Sequence, residues 1–313
     1  MSYRYLFGPV HSRRMGFSLG IDLVPRKTCS MNCVYCEVGP TDRRTLERRE
    51  WVPIDEVFGE LEEKLAEGHR IDVITITGSG EPLLHDHLGE LIDRIRTITD
   101  LPVCILTNGT HLNDPAVRAE VARADIVAPS LDAVTPEVFG RINNPHPGLR
   151  VSDIIDGLRS LRREFKGQIW LEALIVKGFN DHDEEIDRLA EVIADIKPDR
   201  VHLNTVVRPP AFAGIEGVSA ERLEEIQARL GTSAEICAAP QVDGEPAGEA
   251  AGGMDLYAIV EETTARRPVT RQDLADSLGR PREEIDAVVE RLLRRRRIAE
   301  RAHDGEIYLT AIS

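Results

Sequence analysis

The sequence predicts an α/β protein: a partial (β/α)6 TIM-like barrel with a small α+β domain at its C-terminus. Three observations carry this expectation. β-branched runs alternate with amphipathic stretches through residues 53–230, which implies a parallel sheet with right-handed crossovers. Residues 238–253, AAPQVDGEPAGEAAGG, lose all apolar periodicity and read as a flexible linker. Beyond them, three helical patterns precede a hairpin signal. The predicted divisions are therefore 1–237, 238–253 and 254–313. A doubly wound open sheet is the alternative architecture for the first of these.

Residues 1–19 read as irregular. They contain Arg13 and Arg14 in a glycine-rich segment, which suits either an anion site or a solvated arm. The apolar run from Ile21 to Val24 reads as the first strand, ended by Pro25. Ile54 to Glu67 has helical spacing, and Ile71 to Thr77 is a β-branched strand. A helix follows, with Asp86 as its expected N-cap and Leu88, Leu91, Ile92, Ile95 and Ile98 on one face. Val103 to Thr107, Ile126 to Leu131, Ile169 to Val176 and Arg200 to Val206 read as strands. The helices between and after them are 115–123, 151–165, 184–196 and 220–230. In such architectures the loops at the C-terminal ends of the strands carry the active site.

In the C-terminal division Leu256 to Thr264 is helical. Thr270 with Asp273 resembles a capping box, and that helix ends at Gly279. Glu283 to Arg296 is a third helix. Asp304-Gly305 between short apolar segments signals a hairpin. Three helices followed by a hairpin resemble a winged-helix module in topology, expected to fold apart from the barrel.

Composition bounds the function. The 313 residues carry a net charge of −15, against an unaided grip on nucleic acid. The C-terminal division has eleven arginines against twelve acids and is close to neutral, and Arg294 to Arg297 are consecutive. Such a run suits either phosphates or the negative end of a helix dipole. No apolar run approaches the roughly 20 residues of a membrane span, and the N-terminus has no signal-peptide core. A cytoplasmic location is expected, where clustered thiols read as metal ligands.

Three of the five cysteines fall within eight residues, Cys29-Ser30-Met31-Asn32-Cys33-Val34-Tyr35-Cys36, directly after the first strand. Thiolates packed so tightly need a soft cation: zinc, copper(I) or an iron–sulfur cluster. Only three lie in the loop, and no fourth Cys or His follows at zinc-finger spacing. Three ligands on a four-iron cluster leave one iron open, as in catalytic metal sites. The alternative is a zinc site completed by Cys104 or Cys237. Cys104 also suits a plain buried strand position.

The spacing C-x3-C-x-aromatic-C resembles the signature of the radical S-adenosylmethionine (SAM) enzymes. The resemblance implies that Cys29, Cys33 and Cys36 hold a [4Fe–4S] cluster whose fourth iron binds SAM. It further implies that one electron, from a donor such as flavodoxin or ferredoxin, cleaves SAM to methionine and a 5′-deoxyadenosyl radical. Such an enzyme is classed as an oxidoreductase. Gly78-Ser79-Gly80-Glu81-Pro82 resembles the family's GGEP motif, which contacts the SAM amino group, with Ser79 in place of the first glycine. The resemblance also implies cofactor contacts for Asn108 after the third strand, Ser130 and Asp132 after the fourth, and Asn204 after the sixth. Ile175 to Asn180, followed by Glu184 and Glu185, loosely resembles the element that supports the adenine. Tyr35 would stack on the adenine or shield the cluster.

Most of residues 5–230 is similar to a narrower group related to the wyosine-type tRNA-modifying synthases. Those carry a second cysteine triplet and a catalytic lysine. Here no cysteine precedes Cys29, and Lys27 is merely near. The leading expectation is an enzyme that abstracts hydrogen from RNA or from a peptide or protein gripped by the C-terminal module. The reading from another class is an iron–sulfur DNA-binding redox sensor without turnover, for which the SAM motifs have no use.

Overall fold

The computed structural model describes residues 3–12, 15–231, 233–237 and 255–312. The linker read at 238–253, and Arg13 and Arg14, lie outside the described residues. The β-branched runs become strands because they are apolar on both faces. In β5 (Val73–Thr77), Ile74 and Ile76 turn out toward helices while Val73 and Thr75 turn inward. β6 (Val103–Thr107), β7 (Ile126–Pro129), β8 (Gln168–Ile175) and β9 (Arg200–Thr205) follow the same rule. Helices α1 (Ile54–Ala66), α2 (Leu88–Ile98), α3 (Pro115–Val121), α5 (Val151–Glu164), α6 (Asp183–Ile196) and α7 (Ala220–Leu230) cover the outer face. Their buried stripes, such as Leu88, Leu91, Ile92 and Ile95, match the predicted periodicity. The N-cap of α2 is His87, one residue after the predicted Asp86.

The start of the chain differs from expectation. Residues 1–19 are not irregular throughout, and the first parallel strand is not Ile21 to Val24. β1 (Leu6–Ser12) and β2 (Gly16–Asp22) form an antiparallel pair, and β2 is the strand beside β5. Two further short strands, β3 (Thr28–Cys29) and β4 (Arg43–Arg44), pair beside the cysteines. Two more elements have no counterpart in the sequence reading: α4 (Pro136–Asn143) and β10 (Ala234–Ile236).

The main sheet runs β1-β2-β5-β6-β7-β8-β9-β10, and every pair except β1–β2 is parallel. Each parallel strand lies beside its predecessor, with no reversal of order. That is the winding of a barrel and rules out the doubly wound alternative, whose order must reverse at a switch point. β1 and β10 are the edges of this open sheet.

Residues 255–312 form α8 (Leu256–Arg266), α9 (Arg271–Leu278), α10 (Arg282–Arg294) and the hairpin β11 (Ile298–His303) and β12 (Glu306–Ala311). The capping box at Thr270 and Asp273 is present, and Gly279 closes α9 in the left-handed conformation. These elements share a core of their own around Ile259, Leu274, Ile285, Val289 and Leu309. They also meet the barrel at both ends of its sheet. Arg266 donates to Asp22 at 2.7 Å, with its guanidinium over the Phe7 ring. The Tyr308 hydroxyl donates to the Val207 carbonyl, just past β9, at 2.8 Å. No helix among the described residues is long and apolar enough to cross a membrane.

The side chains of Asp22 and Arg266 are only 11% and 14% exposed, so their ion pair is poorly screened. Arg266→Ala leaves Asp22 without its cation and should lower unfolding stability by about 2–3 kcal/mol in denaturant titration. A loss near zero would show that the contact contributes nothing to holding the C-terminal elements.

Candidate active site

The cysteine loop leaves the C-terminal end of β2 and crosses the mouth of the sheet. It is fixed first by backbone. The Lys27 amide donates to the Ser79 carbonyl at 2.7 Å, and the Glu81 amide donates to the Thr28 carbonyl at 3.1 Å. The loop after β5 thus lies against the start of the cysteine loop. Only glycine fits at 80: a Cβ there would sit 2.0 Å from the Thr28 carbonyl oxygen. Gly78, at φ +122°, similarly makes room for Asp22, whose carboxylate accepts from the Ser79 amide at 2.6 Å.

Burial raises all three thiols, with Cys29 pushed up to about 12. Two side-chain amides point at their sulfurs. Asn108 Nδ2 lies 3.5 Å from Cys29 Sγ, and Asn143 Nδ2 lies 3.4 Å from Cys33 Sγ. These donors suit sulfur that carries negative charge, as thiolate ligands do. Among the described residues no three His, Cys, Asp or Glu side chains converge closely enough to hold a single ion. Cys104 is fully buried in β6, and Cys237 follows β10. Three cysteine thiols, two of them met by side-chain amide donors, are a donor set that fits an iron–sulfur cluster.

Two buried carboxylates flank the thiols. Glu81, 2% exposed, accepts from the Leu83 amide (3.0 Å), the Thr107 hydroxyl (2.6 Å) and the Asn108 amide (2.7 Å). Burial still pushes its carboxyl up to about 7 against those donors. Asp132, 3% exposed, accepts from the Tyr35 hydroxyl (2.5 Å), Asn143 Nδ2 (2.7 Å) and the Leu174 amide (3.0 Å). Burial raises Asp132, and burial with the adjacent Asp132 carboxylate raises Tyr35. A hydroxyl donating to a carboxylate at that length is a charge-assisted bond.

A cleft opens beside Cys33, Tyr35 and Asp132. Of the residues singled out in the sequence, Cys33, Tyr35, Asn108, Ser130 and Asp132 line it. Met31, Phe139 and Ile154 give it an apolar side. Ser79, Gly80 and Glu81 do not line it; Glu81 reaches it only through Asn108. Asn204, on β9, is also away from its walls.

The sequence reading missed Asn143 and Phe139 because it missed α4. The signal was present: Thr135-Pro136 is a helix-start pair, with Val138, Phe139 and Ile142 buried behind it. The start is anchored from outside the helix. Glu185 accepts from the amides of Val134 (2.6 Å) and Thr135 (3.0 Å) and from the Thr135 hydroxyl (2.7 Å). Asn180, fully buried, ties the Asp132 and Leu174 carbonyls together at 2.7 and 2.8 Å.

Residues 23–190 match the model of the Radical SAM superfamily. A protein of Brachyspira hyodysenteriae named GTPase Obg is 35% identical over 96% of this chain, which spans 44% of that protein's length. A UPF0026 protein of Methanocaldococcus jannaschii is 35% identical over 71% of this chain and 70% of its own. Among solved structures, a radical SAM methyltransferase from Sphaerobacter thermophilus superposes with a TM-score of 0.53 at 18% identity, over 72% of this chain and 68% of its own. At that identity the likeness shows the fold alone.

The Glu81 carboxyl gives the pH response of this site a sign. Its folded value is raised, so the stability it contributes is full below about 4.5 and is lost as pH rises through about 7. Unfolding free energies at pH 5 and pH 8 should therefore show a fall that Glu81→Gln flattens, whatever constant offset the amide introduces. An unchanged slope in the variant would mean that Glu81 titrates at its ordinary value.

Proposed function

The chain belongs to the radical SAM superfamily, and from that premise we propose that Cys29, Cys33 and Cys36 hold the [4Fe–4S] cluster of a SAM-cleaving enzyme. One observation carries the reading: Cys33, Tyr35, Asn108, Ser130 and Asp132 line a cleft at the mouth of the sheet, and Asn108 and Asn143 on its wall donate to the sulfurs of Cys29 and Cys33. When bound, the cluster supplies the electron that cleaves SAM to methionine and a 5′-deoxyadenosyl radical. The protein's own groups bind and orient. Asn108 and Asn143 donate to the sulfurs of Cys29 and Cys33. Glu81 fixes the Thr107 and Asn108 side of the cleft, and its place in the GGEP-like loop makes it our candidate acceptor for the SAM ammonium group. Ser79 and Gly80 bring backbone to the same place. Tyr35, Ser130 and Asp132 receive the ribose and carboxylate, with Phe139 and Ile154 against the adenine. Asn204, near the C-terminal end of β9, is assigned to the cofactor or the substrate from its place at a strand end.

We read α8–α10 and the β11–β12 hairpin as a winged-helix-like domain, and the barrel as related to the wyosine-type synthases without their second cluster. A macromolecular substrate follows. RNA is favoured over a peptide because Arg294, Arg295 and Arg296 are exposed at the end of α10. The reductant is a small electron-transfer protein, and a cytoplasmic location suits reduced thiols.

Anaerobically reconstituted protein should hold about four irons per chain, and Cys29→Ala, Cys33→Ala or Cys36→Ala should remove them, whereas Cys104→Ala and Cys237→Ala should not. SAM should change the electron paramagnetic resonance spectrum of the reduced wild type. Stoichiometric zinc, or a spectrum indifferent to SAM, would end this reading.

A further inference from the structure

The chain carries −15 overall, yet residues 26–49 hold six cations against three acids, a local charge of +3. This stretch contains the three cysteines and wraps them from outside. Of these groups Glu37 is paired with Arg208 at 3.2 Å and Arg48 with Glu120 at 2.8 Å, so pairing outside the stretch leaves its balance at +3. β4 places Arg43 and Arg44 directly beside Thr28 and Cys29, one strand spacing away.

Two of these cations are held ready for a partner. Arg43 and Arg49 are exposed, and no carboxylate among the described residues pairs with either. Both guanidinium groups lie over the Trp51 ring, at 5.3 and 3.9 Å from its centre. Stacking on one indole fixes two long side chains in place and reduces the entropy lost on docking.

We infer that the outer face of the cysteine loop, centred on Arg43 and Arg49, docks a small acidic protein that delivers single electrons to the cluster. The inference rests on the cluster assignment made above. The charge complements such a donor and would steer its approach. The position places the donor against the strand pair that carries Cys29. An electron donor is favoured over a phosphate track because β4, which carries Arg43, pairs with the strand that carries Cys29. In the transfer, the donor's flavin hydroquinone gives up one electron and becomes the semiquinone. The cluster takes up that electron and passes from the 2+ to the 1+ state, with no bond made or broken in either protein.

The test follows reduction of the cluster by excess reduced flavodoxin in stopped flow, in full-length reconstituted protein. Arg43→Glu/Arg49→Glu should slow the second-order rate about tenfold or more at low ionic strength and flatten its salt dependence. Arg43→Gln/Arg49→Gln should fall between the two. Iron content and the spectrum after complete reduction by dithionite should match wild type in both, which shows that the variants are folded and loaded. A variant rate equal to wild type at every salt concentration would overturn the inference. So would an unchanged rate accompanied by lost binding to tRNA, which would assign the patch to nucleic acid. A wild type that takes up no iron would instead overturn the cluster assignment, and this inference with it.

Discussion

The mouth of the sheet depends on two loops approaching more closely than a side chain permits. Gly80 lies against the Thr28 carbonyl, and the amides of Lys27 and Glu81 bond across the junction. That approach turns the Glu81 side chain under Thr107 and Asn108, so the ends of β2, β5 and β6 become one rigid unit. On the other side Asp132 gathers Tyr35 from the cysteine loop, Asn143 from α4 and Leu174 from β8. The thiols are suspended between these two carboxylates.

A buried carboxylate is costly unless its oxygens are met by donors. Each of these two is met by three: those of Asp132 come from three segments of chain, those of Glu81 from its own loop and from the end of β6. The carboxylates therefore act as junctions. Removing any single donor leaves a charged acceptor underused and releases a loop that carries part of the site. The same economy covers the sulfurs: Asn108 serves Cys29 and Ser30, and Asn143 serves Cys33 and Asp132.

What the sequence made legible followed from simple periodicity and spacing. The β-branched strands, the amphipathic helices, the cysteine triplet and the Gly78–Pro82 loop all report local chemistry. The order of strands was only half legible, since βα alternation fits two windings and only pairing decides between them. The β1–β2 pair was hidden by Gly8, Pro9 and the small residues of GFSLGID. Those small residues are explained by neighbours that no local pattern reveals: the Phe7 ring lies over Gly20, and Ser18 bonds Thr75 inside the barrel at 2.7 Å. Ser130 and Asp132 were legible as strand-end residues. The role of Asn143 was not, because a short helix with a single Thr-Pro start carries little periodic signal.

The contact at Asp22 joins the cysteine mouth to the C-terminal elements. One carboxylate accepts from the Ser79 amide and from Arg266, so the Gly78–Pro82 loop and α8 share a single anion. Moving α8 away strips Asp22 of its cation and leaves Ser79 bonded to an unpaired charge in a half-closed site. Moving the loop weakens the seat of Arg266 in the same way. The position of residues 255–312 is thereby coupled to the geometry of the loop beside the thiols, and the coupling must act equally in both directions. A ligand that shifts the C-terminal elements would be felt at the mouth through this ion pair and through Arg26, which donates from the cysteine loop to the Ala265 carbonyl of α8 at 3.0 Å.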